Sequence, residues 1–204
     1  MMNKQLLLLA FLSGVLLVLI AGTISAQKTD KLTYAFGIGP LVPTNSHVND
    51  NLYTTGISAH MKVAYPISDF AFMEFNLSYS RNSLDNDDYL SEVTGDPMTI
   101  VGAFGGIKLM LSPNRDTSPY FFEGVGFNLI NQPGLASNGT VIMEDTNDSP
   151  VSVFFGGGME MKLTSKLAMY FDVLYSIAYR DNENFEYVMF RTGVNFLRLF
   201  KGRY

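Results

Sequence analysis

The chain has no cysteine, no tryptophan and only two histidines, His47 and His60. Without cysteine it can form no disulfide, offer no thiol nucleophile and carry no lipidated cysteine. Two histidines exclude a histidine-built metal centre. Charge is also sparse, at 16% of residues with a net −5. That leaves no basic patch of the kind nucleic acid demands, so nucleic acid is excluded as a partner. Past residue 26, no run approaches the roughly 18 uninterrupted apolar residues of a membrane helix. No stretch there shows a sustained helical period.

What the chain does have is 47% hydrophobic residues, including 16 Phe and 11 Tyr, arranged in alternation. The N-terminus stands apart. Lys4 precedes a nearly unbroken apolar run from Leu6 to Ala21, and Ile24-Ser25-Ala26 offers small residues for cleavage. Residues 1–26 therefore read as a signal peptide and 27–204 as one exported domain beginning at Gln27. An uncleaved anchor is the rival reading, because the apolar run is nearly long enough to span a bilayer.

The clearest pattern lies in 151–180. Val151, Val153, Phe155, Met159, Met161 and Leu163 share one parity; Ser152, Gly156, Gly158, Glu160 and Lys162 share the other. After Thr164-Ser165-Lys166 the alternation resumes, with Leu167, Met169, Phe171 and Val173 opposite Asp172, Ser176 and Ala178. Successive strand side chains point to opposite faces, so this is a β-hairpin with one apolar and one small-or-polar face. Phe154, Tyr170 and Leu174 are large residues on the wrong parity. Similar alternation marks strands at 31–43, 52–65, 70–81, 98–111, 119–130 and 186–199. In 119–130, Glu123 shares a parity with Phe121, Val125 and Phe127, so its facing stays open. Short connections at 66–69, 112–118 and 164–166 alternate with longer ones, notably 82–97 and 131–150. Outer-membrane barrels show this asymmetry.

The fold class expected is all-β: an eight-stranded antiparallel up-and-down transmembrane barrel. Volume decides which face is inside. The lumen of eight strands is only just filled by side chains. The many Phe, Tyr and Met residues of the apolar parity exceed that space, whereas Gly, Ala, Ser and Asn fit it. Lys62, Glu74, Lys108, Glu160, Lys162, Asp172 and Arg191 all take the small-residue parity. On the lipid side a midplane Lys or Arg would cost about 2–4 kcal/mol. A near-balanced ionic network plugging the lumen follows, with Lys62 and Glu74 as candidate cross-strand partners about the 66–69 turn. Tyr53 and Tyr65 share the outward parity twelve residues apart. At ~3.3 Å per residue and ~40° tilt this is roughly 30 Å, the separation of two interfacial girdles. Tyr79 and Tyr179 would join the outer one.

Pattern over the whole mature chain, with PYFFEGVGF at Pro119–Phe127 as a Pro-Tyr…Gly-x-Gly strand, resembles the small outer-membrane β-barrel superfamily. The group is that of eight-stranded OmpX/OmpA-like barrels, and the Tyr/Phe-rich style and acidic loops are similar to the Bacteroidetes-type outer membrane β-barrel proteins, some PorT-like. The resemblance implies a Gram-negative outer-membrane location and a C-terminal aromatic insertion signal, here Tyr204 or Phe200.

No residue reads as catalytic, cofactor-binding or metal-ligating, and no cofactor is expected. Asp85, Asp87, Asp88, Glu92 and Asp96, and separately Glu144, Asp145 and Asp148, cluster oxygen ligands. Neither cluster has the ordered spacing of a calcium loop. Ser46-His47 with Asp50 is adjacency in a loop, whereas a hydrolytic pair needs an orienting acid and an exposed geometry. Gly156-Gly157-Gly158 has no following helix to bind phosphate. The expected function is a non-enzymatic structural or interaction role — adhesion, docking or envelope integrity — through extracellular loops. A small transport protein or pore and a lipid-modifying enzyme are the alternatives. Expected partners are membrane lipids, lipopolysaccharide and proteins meeting the loops 82–97 and 131–150. The sequence carries no sign of oligomeric state.

Overall fold

The computed structural model describes residues 32–44, 53–84, 93–113, 115–180 and 184–196. The segment 1–26, Ser46, His47, Asp50, Asp85 to Asp88, Glu92, Phe200 and Tyr204 lie outside the described residues.

Eight long strands form the wall: β1 (Thr33–Pro43), β2 (Gly56–Pro66), β3 (Ala71–Asn82), β5 (Met98–Met110), β6 (Thr117–Gln132), β10 (Val151–Lys162), β11 (Leu167–Ala178) and β12 (Phe185–Phe196). Four short ones, β4 (Val93–Thr94), β7 (Leu135–Ser137), β8 (Thr140–Met143) and β9 (Thr146–Asp148), lie in the long connections. Each wall strand pairs antiparallel with its chain neighbours, and β12 pairs with β1 to close the barrel. Closure leaves no wall strand with an open edge, the condition for β-structure to cross a bilayer.

The short turns are built by their own side chains. Ser68 Oγ accepts the Ala71 amide at 3.1 Å, and the Ile67 and Ser68 amides donate to Ala71 O. Thr164 Oγ1 likewise accepts the Lys166 amide at 3.2 Å.

The apolar parity faces out. Phe36, Phe75, Phe121, Phe127, Phe155 and Phe190 are each about half exposed. The facing of 119–130 is decided: Tyr120, Phe122, Asn128 and Ile130 are buried, while Phe121, Glu123, Val125 and Phe127 are exposed. Glu123 therefore points outward, and the apolar parity is right for this strand too. Tyr65 and Tyr79 are outward near opposite ends of the β2–β3 hairpin.

Tyr53 is a correction. It is 8% exposed and belongs to the interior cluster, not an outer girdle. The strand begins only at Gly56, and the regular ladder stops there, so parity does not carry across Thr54-Thr55. Tyr53 instead makes an isolated bridge with Leu84, held where Asn82 Nδ2 donates to Thr54 O at 3.0 Å and Leu41 O at 3.3 Å. Burial pushes its hydroxyl up to about 12.

Candidate functional site: a sealed lumen and the cap above it

The inward parity of eight strands converges on a lumen with two storeys. The one nearer the short turns is ionic. Lys62, Lys108 and Arg191 face Glu74, Glu160 and Asp172, and all six are buried or nearly so. Asp172 is the hub. Its carboxylate accepts Lys62 Nζ at 2.5 Å, Arg191 Nε at 2.5 Å and the Tyr120 hydroxyl at 2.7 Å. Glu160 accepts Lys108 Nζ at 2.8 Å and Asn195 Nδ2 at 3.0 Å. Aromatic faces complete the cations' shells: Lys62 Nζ is 4.1 Å from the Tyr170 ring centre and Lys108 Nζ 4.2 Å from that of Tyr120. At this range a desolvated cation gains from the ring quadrupole.

The balanced network expected from parity is present, with two corrections. Lys62 pairs with Asp172 across the lumen, not with Glu74 on the neighbouring strand. Its register partner on β3 is Asn76, and the pair of Glu74 is Ala64. Lys162 lies exposed at the rim, where Nζ donates to Pro113 O at 3.0 Å. A double-mutant cycle on Lys62 and Asp172 should give a coupling of about 1–3 kcal/mol, against less than ~0.5 kcal/mol for Lys62 with Glu74. Equal couplings in denaturant unfolding would contradict the observed pairing.

The second storey is aromatic and aliphatic. The Phe154 ring centre lies 5.1 Å from Phe104 and 6.1 Å from Phe122, with Leu174, Met189 and Ile100 buried beyond. So the lumen is not filled by small residues and charges alone. Phe154, Tyr170 and Leu174, which break the alternation of bulk, point inward, and glycines make room for them. A Cβ on Gly124 would stand 2.7 Å from Phe154 Cζ, and one on Gly156 2.5 Å from Phe122 Cζ. A Cβ on Gly193 would stand 2.6 Å from Tyr170 Oη. Large and small residues thus alternate across the bore and interdigitate. Higher still, Tyr187 donates to Asn128 at 3.2 Å and Asn128 to Ser152 at 2.7 Å.

These layers leave little free space. The cavity beside the plug, bounded by Glu74, Lys108, Glu160 and Tyr170, measures about 10 Å³, room for about one water. His60, the second histidine, is buried with its Nε2 hydrogen-bonded to the Tyr170 hydroxyl. Its role is in the lumen packing. Among the described residues no group of three or more acidic or histidine side chains is arranged to hold a metal ion. In the second acidic cluster, Asp148 pairs with Arg180 at 3.0 Å and Asp145 accepts the Gly134 amide. Asp96 is exposed.

Over the end that carries the long connections sits an ordered cap. β4, from the connection 83–97, pairs with β7, and β7 with β8, in a three-stranded sheet. β9 adds to the extended end of β6. The stretch 131–150, expected as a loop, is thus largely strand. Its signal was Asn138-Gly139, the dipeptide of two-residue hairpins, which take positive φ at both positions. The observed angles are 50° and 78°. Leu135 is buried beneath the cap, close to Gly95.

Residues 14–196 match the outer membrane protein beta-barrel domain family. The chain belongs to that family. Among solved structures it is similar to the outer membrane protein OprG from Pseudomonas aeruginosa, with 11% identity, a TM-score of 0.60, and 81% of this chain and 95% of that one covered. Neisserial surface protein A gives 12%, 0.57, 81% and 96%. Ail, the attachment invasion locus protein of Yersinia pestis, gives 14%, 0.51, 81% and 98%. At such identities the likeness is one of fold. No curated protein matches. Family and fold together make this an outer-membrane β-barrel protein.

Proposed function

We propose that this outer-membrane barrel is a non-enzymatic interaction protein, exported through its N-terminal segment, that docks or adheres through the cap. The carrying observation is the division of the molecule. The bore is filled by an ion plug and a phenylalanine layer, while two separate long connections are knitted into one ordered sheet. A filled bore supports neither a solute path nor a substrate cleft. An ordered external sheet supports recognition, because less conformational entropy remains to be lost on binding. The long connections then face outward and the short turns the periplasm, the usual arrangement of such barrels.

The cap's charge narrows the partner. Asp96, Glu144 and Asp145 are exposed on it. Ail has been solved with the heparin analogue sucrose octasulfate, but an acidic cap is unsuited to a polyanion and fits a basic protein surface. It also repels anionic lipopolysaccharide unless divalent cations bridge the two. In planar bilayers the purified protein should give no stable channels; long-lived openings would overturn the sealed-bore reading. In intact cells, a photoreactive crosslinker at the exposed cap residue Val141 should capture a partner that is lost when Asp96 and Glu144 are both changed to lysine. Capture unaffected by that reversal would rule out the cap as the docking surface.

A further inference from the structure

Glu123 is an exposed carboxylate in the middle of the lipid-facing wall. On β6 the outward apolar residues Pro119 and Phe121 lie on its short-turn side, and Val125, Phe127 and Leu129 on the other. Its register partners, Ile107 on β5 and Phe155 on β10, are apolar. Among the described residues nothing forms a hydrogen bond or ion pair with its carboxylate. Ionisable groups facing hydrocarbon are costly and, where kept, mark a contact.

The wall around it is shaped. In the described barrel strands the outward-facing glycines are Gly105 and Gly157. Each occupies a position diagonal to Glu123: Gly105 is paired with Val125, and Gly157 with Phe121. They floor two apolar grooves of about 380 and 430 Å³ on either side of β6. The first is walled by Phe75, Leu77 and Phe127, the second by Met159, Phe171 and Phe190. Small residues beside a polar one are what membrane segments use to approach closely and hydrogen-bond.

We propose that the β6 ridge, with Glu123 at its centre and Gly105 and Gly157 beside it, docks a second membrane-embedded protein. The facing segment of that protein carries a lysine or arginine at mid-depth. Charge complementarity selects this occupant. Lipid chains offer no donor to a carboxylate. Among the described residues a second copy of this chain offers no outward cation at that depth: Arg81, the outward cation of β3, lies at the long-connection end of that strand. A symmetric contact would instead set carboxylate against carboxylate. The surface lies on the barrel wall, separate from the cap.

The test uses the full chain in its native outer membrane, with a photoreactive phenylalanine analogue at Phe121 and, on the opposite wall, at Phe36. Irradiation should give an adduct with a different protein from Phe121 and none from Phe36. Peptide mapping should place it in a membrane-spanning segment containing lysine or arginine. Yield should fall about tenfold in Glu123→Leu, the loss of one intramembrane charge-assisted contact. It should fall similarly in Gly105→Val, whose Cβ meets only the Phe75 ring, at 3.4 and 3.6 Å. Heat-modifiable gel mobility should confirm a folded barrel in each. An adduct of twice the chain's mass, lipid adducts alone, equal capture from Phe36, or a yield indifferent to both variants would overturn the proposal.

Discussion

Replacing Asp172 by leucine should destabilise the barrel by about 3–5 kcal/mol, the cost of breaking a buried ion pair from one side. Asp172 neutralises both Lys62 and Arg191 within 2.5 Å and also accepts Tyr120. Leucine supplies none of this and leaves two buried cations without their shared counter-ion. The loss is mostly the penalty for the orphaned cations, not the net worth of the pairs, because desolvation offsets much of the attraction in the intact network. The contrast is Glu74→Gln, which should cost less because Glu74 makes no direct ion pair among the described residues, the closest pairs being those of Asp172 and Glu160. Urea titration of refolded protein in lipid, read by gel mobility, measures both. An Asp172→Leu barrel within about 1 kcal/mol of the parent would show that the plug is not organised on this carboxylate.

Phe154→Ala should cost about 3–5 kcal/mol by leaving a cavity in the second storey. Phe154 packs against Phe104 and Phe122 at once. The wall around it cannot collapse, because the strands are locked in a closed ladder. The reciprocal change, Gly124→Ala, puts a methyl hard against the Gly105 carbonyl oxygen, 2.7 Å from Gly106 Cα and 2.7 Å from Phe154 Cζ. Overpacking there should cost about 1–3 kcal/mol. Combining the two should recover only the share of the loss that comes from the ring, because the contacts with the Gly105 and Gly106 backbone remain. The same denaturation assay decides it, and fully additive losses in the double variant would show that Phe154 contributes nothing to the crowding at position 124.

How much could be read beforehand follows from what each feature depends on. Strand identity and facing depend on a period of two, which is local. Lys62, Glu74, Lys108, Glu160, Asp172 and Arg191 were therefore placed in the lumen by parity alone. Parity likewise set Tyr65 and Tyr79 on the outer face. Tyr53 failed because parity is meaningful only within one unbroken strand, and the strand begins at Gly56. Phe104, Phe122 and Phe154 occupy inward positions despite their bulk. What fails there is the expectation of small lumen residues, since glycines on facing strands vacate the needed volume. Asn138-Gly139 was a legible hairpin signal inside a stretch read as loop. Glu123 was visible as a parity conflict, but an isolated anomaly cannot say whether the residue or the whole strand is reversed.

The amino-acid sequence by itself determined the barrel class, the count of wall strands and the inward or outward sense of most wall residues outside 119–130. These follow from alternation and from the mismatch between large side chains and a narrow bore. Tertiary structure alone decided who meets whom across that bore. Asp172 lies 110 residues from Lys62 and 19 from Arg191, and only the stagger of the closed ladder brings them to one level. Closure also set the cap, because β4 and β7 belong to different connections that meet only when the barrel brings their ends together. Local patterning writes the faces of a strand; cross-lumen partners depend on strand tilt and register around the whole ring.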